Sequence, residues 1–225
     1  MAPASPTTPV SVWGERGWWS GWVELVSPPH HTLAPSIPPF QKAPLLFNAT
    51  MAGLAPSSTV YYKVGDDANG WSSVKSITVP RARGARGAVP MRIAFVGDLG
   101  ITGNSSSTVA HVLANHADIP LEATVHVGDL SYADQTEGVW NTFGRLVEPL
   151  GSSVPYLLGV GNHEWFWSGP PNPKFAAYQN RFRTPGMEGP SKLYYSIDLG
   201  LVHLIMLQVR LGIIMRDVRE WPRAW

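Results

Sequence analysis

Apolar and polar positions change rhythm once along the chain. Up to about residue 80 the apolar residues come in short runs rich in Trp, Tyr and Val, cut by prolines and glycines and without a sustained helical period, which predicts an all-β region. Within it, 47–54 and Thr59 to Gly65 read as strands around the turn Ala55-Pro56-Ser57-Ser58, and Trp71 to Val79 reads as the next strand after a turn at Asp66 to Gly70. From residue 91 onward, strand-length apolar runs alternate with helix-period stretches, the pattern of an α/β sheet with crossover helices. Ser105 to Ser107 offer caps ahead of Val109, Val112, Leu113 and His116 on one helix face. A second helix starts near Thr136-Glu137, carries Val139, Trp140, Phe143, Leu146 and Val147 at helical spacing, and ends before Pro149. A short helix over 175–182 and a hairpin of Leu193 to Asp198 with Leu201 to Leu207 follow. Between the two rhythms, Pro80 to Pro90 scatters Arg81, Arg83 and Arg86 among Gly, Ala and Pro, and reads as a solvated interdomain linker rather than a basic address.

Three of the α/β runs end alike. Ile93-Ala94-Phe95-Val96 leads into Gly97-Asp98-Leu99-Gly100, Ala123-Thr124-Val125-His126-Val127 into Gly128-Asp129-Leu130-Ser131-Tyr132-Ala133-Asp134, and Tyr156-Leu157-Leu158-Gly159-Val160 into Gly161-Asn162-His163-Glu164. Each delivers a metal-capable side chain directly after a glycine. The 31 positions from Asp98 to Asp129 and the 33 from Asp129 to Asn162 fit a strand, a crossover helix and a return, as a parallel sheet requires. Parallel strands end on one edge, where open α/β sheets bind ligands, so Asp98, Asp129, Tyr132 and Asn162 are expected to line one pocket. A lone Gly-Asp pair is usually a turn. Three in register with the α/β period argue for a shared site.

These blocks resemble the first three signature blocks of the calcineurin-like metallophosphoesterases, and Tyr132 matches the purple acid phosphatase branch. The Asp-Arg-Gly that continues the second block in the serine/threonine protein phosphatases is absent. The turn Gly53-Leu54-Ala55-Pro56 before the Tyr61-Tyr62 strand resembles the fibronectin type III-like domain that precedes the catalytic domain in plant-type purple acid phosphatases. Such a module needs about seven strands, and Met1 to Pro39 departs from the pattern. The resemblance therefore implies a partial fibronectin type III-like all-β sandwich over 1–80, a linker over 81–90, and the N-terminal part of an α/β metallophosphoesterase domain over 91–207. That domain is four-layered (αββα) in the family and incomplete here. Residues 208–225 read as a divergent tail, and the family's Val-x-x-His and Gly-His-x-His blocks are missing.

By the same resemblance the activity is that of a metal-dependent acid phosphatase, which hydrolyses phosphomonoesters at a dinuclear centre with a metal-bound hydroxide as nucleophile. The metals, about 3.5 to 4 Å apart in such enzymes, would be iron(III) and a divalent zinc, manganese or iron. Asp98, Asp129 and Tyr132 would hold the first. Asp129 would bridge to the second, which Asn162 also binds, and His163 would contact the phosphate or protonate the leaving alkoxide. A phenol of pKa about 10 becomes a good ligand only where a strong Lewis acid displaces its proton, which favours ferric iron. The family's histidine ligands have no counterpart, so the chain is expected to be a C-terminally incomplete form that holds metal weakly and has weak or no activity. The alternatives are a non-catalytic relative that binds phosphate or a partner, and a phosphodiesterase or protein phosphatase of the same superfamily. Tyr132 and the preceding β region stand against the last. The resemblance is compatible with a homodimer and implies secretion or a vacuolar location.

Composition bounds these readings. The chain of 225 residues is 44% hydrophobic and 15% charged, which places it among globular proteins of one or two domains. A formal charge of +1 gives no electrostatic reason to expect nucleic acid or an acidic membrane as partner. Cysteine is absent, so any metal must be held by oxygen and nitrogen. Met1 to Val10 lacks the basic start and apolar core of a signal peptide, which leaves the compartment unread. The run Leu199 to Met215 is interrupted by His203, Gln208 and Arg210, and is too short and polar to span a bilayer. His30-His31 read as an exposed loop, His111 and His116 as helix-surface or core residues, and His203 as a packing residue. Asn48-Ala49-Thr50 and Asn104-Ser105-Ser106 match the N-glycosylation sequon, which matters only in a secreted chain.

Overall fold

The computed structural model describes residues 9–14, 17–22, 51, 53–66, 70–134, 136–165, 175–183, 185 and 193–208. In the first part, β1 (Pro9–Gly14) and β2 (Gly17–Trp22) form a hairpin, followed by β3 (Thr59–Lys63), β4 (Gly65–Asp66), β5 (Gly70–Trp71) and β6 (Lys75–Thr78). The order β2-β1-β3-β6 is antiparallel throughout, and β4 pairs with β5 as a separate ribbon. Val60, 4% exposed, anchors β3 on its buried face. The strand expected over 47–54 lies mostly outside the described residues, and Met51, Gly53 and Leu54 are not strand. The expected strand from Trp71 to Val79 is split, because Ser72 turns back to hydrogen-bond Val64 through both its N–H and its hydroxyl.

The second part alternates strand and helix: β7 (Ile93–Val96), α1 (Gly103–Asp118), β8 (Ala123–His126), α2 (Glu137–Gly151) and β9 (Tyr156–Leu158). A one-turn 3-10 helix (His163–Trp165), α3 (Ala176–Arg181) and the hairpin β10 (Tyr195–Leu199) and β11 (Val202–Met206) follow. β7, β8 and β9 are parallel in that order, with Phe95 beside Val125 and Val125 beside Leu157. Side chains alternate across β8, so its two faces feed two cores. Leu130, Trp140, Phe143, Val147, Leu150 and Leu158 fill the one against the helices. Ala123, Val125, Leu157, Tyr195, Leu199 and Met206 fill the one under the hairpin. α2 is held by its apolar stripe, Trp140, Phe143, Val147 and Leu150, each worth about 1.5 to 3 kcal/mol of burial.

Three expectations are corrected. The first helix starts earlier: Thr102 is its N-cap and shares a reciprocal capping box with Ser105, so Ser105 acts from the third helical position rather than as the cap. The second helix runs through Pro149 to Gly151. Pro149 lacks the N–H that would bond Arg145 O, yet the helix continues past it and Ser152 N–H closes it on Glu148 O. The arginine-bearing stretch after Pro80 is docked at its start rather than solvated. Arg81 Nε meets Glu122 Oε1 at 2.6 Å, its N–H donates to Glu122 Oε2, and both side chains are 14% exposed. Gly84 N–H donates to Gly200 O at the hairpin turn. The β module in turn rests on the C-terminal end of α2, where Tyr62 hydroxyl donates to Ser152 O and Lys75 pairs with Glu148.

Candidate metal centre

The loops that leave β7, β8 and β9 run side by side along the carboxyl edge of the sheet. Asp98 N–H donates to Gly128 O and Gly100 N–H to Leu130 O, which lays the first loop against the second. The backbones of Gly128 and Gly161 leave no room for a Cβ between them, so the second loop is also packed against the third. Four non-glycine residues in these loops are left-handed: Asp98 (φ 52°), Asp129 (φ 48°), Tyr132 (φ 53°) and Asp134 (φ 50°). Such backbone costs about 1 to 2 kcal/mol per residue and persists only where neighbouring bonds over-determine it.

Those bonds are present. Glu164, 4% exposed, accepts Asp129 N–H (2.9 Å) and Gly161 N–H (2.8 Å) on Oε2 and Leu130 N–H (2.9 Å) on Oε1. Burial pushes its carboxyl pKa up, while the Gly161, Leu130 and Asp129 N–H groups pull it down. Asp129 answers in the other direction, with Oδ1 accepting His163 N–H at 2.9 Å. Asp129 is 9% exposed. Asp98, exposed on the first loop, accepts the Tyr132 hydroxyl at 2.7 Å on Oδ1. That hydrogen bond pushes the phenol up to about 12, with Asp98, Asp129 and Glu164 charges adding to it.

The structure therefore bonds Tyr132 directly to Asp98 and His163 directly to Asp129, and the His163 ring, against the Tyr132 ring, joins the two pairs. The His163 and Tyr132 rings lie 4.3 Å apart between centroids. Asn162 is exposed on the same rim, between Gly161 and His163, both of which touch Asp129. Among the described residues no three His, Asp or Glu side chains gather at metal-holding range. The candidate centre is instead two carboxylates, a phenol and a carboxamide, an oxygen set suited to hard cations, and the donors fit such ions in type. Of the remaining candidates, Asn104 stands exposed on the first turn of α1, and Asn48 and His30-His31 lie outside the described residues. His116 Nδ1 accepts Leu121 N–H. His203 is exposed and paired with Asp198 rather than packed.

Two functional residues escaped the sequence reading. Asp134 Oδ1 lies 2.6 Å from His163 Nδ1, and an ionised carboxylate only accepts, so Nδ1 carries the proton. This bond is the main cause that raises the His163 pKa. Glu164 ties the second and third loops. Both residues stand inside the motif stretches, Asp134 at the end of the second and Glu164 at the end of the third, but nothing in their spacing reveals which backbone they face.

Comparison with known proteins agrees with this architecture. Residues 91–205 match the family model for calcineurin-like phosphoesterases. The chain belongs to the calcineurin-like phosphoesterase family. Within that family it is similar to the purple acid phosphatases. It is 35% identical to purple acid phosphatase 22 of Arabidopsis thaliana, over 75% of this chain and 36% of that protein. It is 33% identical to an Arabidopsis thaliana relative named probable inactive purple acid phosphatase 9, over 72% of this chain and 30% of that protein. A purple acid phosphatase from yellow lupin seeds shares the fold, with TM-score 0.72 and 21% identity over 95% of this chain and 42% of that one. The chain spans about a third of the length of the curated relatives it matches.

Proposed function

We propose that this chain carries the half-site of a metal-dependent acid phosphatase, in which Asp98, Asp129 and Tyr132 hold one cation, Asp129 reaches a second and Asn162 holds it there. The observation that supports the reading most is the pair of bonds across loops, Tyr132 hydroxyl to Asp98 at 2.7 Å and His163 N–H to Asp129 at 2.9 Å, with Asn162 exposed beside His163. The donor types favour iron(III) beside the phenol and zinc, manganese or iron at the second position. Bound there, such cations supply positive charge for the phosphoryl oxygens and lower the pKa of water to the range where it attacks.

The chain's own residues do the rest. Tyr132 must give up its proton to solvent to become a ligand, because Asp98, which now accepts that proton's hydrogen bond, has to stay ionised to hold the same cation. Asp134 holds His163 by Nδ1 and favours its charged form, so the imidazolium binds phosphate or gives its Nε2 proton to the leaving alkoxide. The substrate class is a phosphomonoester. The N-terminal β region is read as a partial fibronectin type III-like module, and secretion or a vacuolar location follows the purple acid phosphatase reading, in which the sequons at Asn48 and Asn104 become usable. With an oxygen-only set and no histidine donor in the described cluster, metal retention and turnover of this polypeptide are weak.

A second reading, a non-catalytic phosphate binder, draws support from that sparse donor set and from the name of the relative called inactive. Hydrolysis of p-nitrophenyl phosphate by the purified chain, with iron and zinc or manganese added, separates the two. Slow turnover that Asp129→Asn abolishes supports the phosphatase. Phosphate binding without any turnover supports the binder, and neither activity removes both.

A further inference from the structure

The second and third loops are joined by a reciprocal clasp whose parts come from opposite sides. Glu164 of the third loop accepts the N–H groups of Asp129 and Leu130 from the second, and Asp129 accepts the N–H of His163 from the third. Glu164 also accepts Gly161 N–H, so it fixes the residue against which the Asp129 carboxylate lies. We propose that Glu164 is the positioning residue of the centre: it holds Asp129 in its left-handed backbone and locks the Asp129 loop to the Asn162 loop, so that one carboxylate can serve two cation positions.

The physical case is one of elimination. An L-residue at φ 48° carries a backbone cost of about 1 to 2 kcal/mol that its surroundings must offset. The N–H groups of Asp129 and Leu130 both point away from the strand ladder, and both end on this carboxylate. Glu164 is also too buried to be a solvent-facing ligand itself. A glutamine there keeps the shape but offers one carbonyl oxygen where the glutamate offers two carboxylate oxygens, and its NH2 group faces a backbone donor. Replacements of groups that orient metal ligands typically weaken metal binding by about 10- to 100-fold.

The inference rests on the metal-centre reading, and the test keeps the two apart. Zn2+ binding by the full chain is measured by calorimetry for the wild type, Glu164→Gln and Leu150→Ala, the last a core control at the far end of α2. The expected result is Zn2+ binding about 10- to 100-fold weaker in Glu164→Gln and unchanged in Leu150→Ala, even where both melt at lower temperature. Equal Zn2+ affinity in wild type and Glu164→Gln overturns the inference. A wild type that binds no Zn2+ overturns the metal reading instead, and the clasp is then judged by amide hydrogen exchange. In the wild type the Asp129, Leu130 and Gly161 amides should exchange through one shared opening, because one carboxylate secures them all. Unrelated exchange rates for these amides overturn the clasp, including in the case where Glu164→Gln does not fold.

Discussion

Two loops in this molecule begin with the same word, Gly-Asp, and bend the same way, yet they are held very differently. Asp98 and Asp129 share nearly the same left-handed φ, 52° and 48°. Asp129 is almost buried and receives bonds through its amide, its neighbour's amide and its carboxylate. Asp98 is exposed, its backbone bonded once to Gly128 O and its carboxylate engaged by the Tyr132 phenol alone. The same local sequence thus yields an anchor in one place and an adjustable arm in the other. Under the proposed metal-centre reading, the tighter hold falls on Asp129, the carboxylate that would serve both cations.

The sharpest way to break the comparison is to crowd each loop with one methyl group. A Cβ on Gly161 would overlap Asp129 Oδ1 and lie 2.6 Å from Asp129 N; on Gly128, already at φ +117°, it would lie 2.7 Å from Gly161 N. Neither backbone can retreat, so Gly161→Ala and Gly128→Ala should each cost about 3 kcal/mol in urea unfolding. On Gly97, the counterpart in the first loop, the same Cβ meets only Val127 Cγ2 at 3.1 Å, and Val127 is an exposed side chain free to turn. Gly97→Ala should cost less than about 1 kcal/mol. Equal losses at all these positions would mean that the two loops are held alike.

Acid should loosen the anchored side next. His126 sits at the end of β8, wholly buried below the Asp129 loop, with Nδ1 on the Tyr156 hydroxyl and Nε2 without a partner. Burial lowers its pKa from 6.5 to about 4. The folded state therefore keeps it neutral while the unfolded state takes up a proton. Its contribution is complete above pH 6.5, falls as pH drops towards 4 and is gone below that. Between pH 7 and pH 5 the loss should be about 2 kcal/mol, read from urea midpoints, and His126→Gln should flatten that slope. A slope unchanged in His126→Gln would place the acid sensitivity elsewhere.

Much of this was legible in the sequence, for physical reasons that also explain what was not. The three strand-glycine-ligand blocks were readable because strand length and crossover length are fixed by geometry, so 31 and 33 positions imply neighbouring parallel strands. The hairpin was readable from two apolar runs around Gly200, which sits in its turn at φ +54°. The docking of Arg81 was not, because its partner Glu122 lies 41 positions away and a basic stretch rich in glycine looks the same whether docked or solvated. Nor were the roles of Asp134 and Glu164, which depend on which N–H or ring nitrogen each carboxylate meets. The Pro149 boundary failed because proline's cost, a missing N–H and a ring against the carbonyl four residues back, says nothing of the burial of Val147 and Leu150 on either side of it, which favours the longer helix.

The smallest effect concerns the adjustable arm itself. Tyr132 is 39% exposed, and its hydroxyl bond to Asp98 spans two solvent-facing side chains. Tyr132→Phe should therefore change stability by no more than about 0.5 kcal/mol, in contrast to the glycine substitutions of the anchored loop. Its ionisation should nonetheless report the arm's position. With Asp98 in place the phenol is pushed up to about 12, first by the Asp98 hydrogen bond, then by partial burial and by nearby negative charge, all of which oppose loss of its proton. Asp98→Asn removes the charge and weakens the bond, so the Tyr132 signal, identified as the tyrosine absent from Tyr132→Phe, should move down towards 10 in an ultraviolet pH titration. Asp129→Asn should move it less, since Asp129 acts on the phenol only through space. If Asp129→Asn moved it more, the phenol would belong to the anchored loop, and the division between an anchored carboxylate and an adjustable one would be lost.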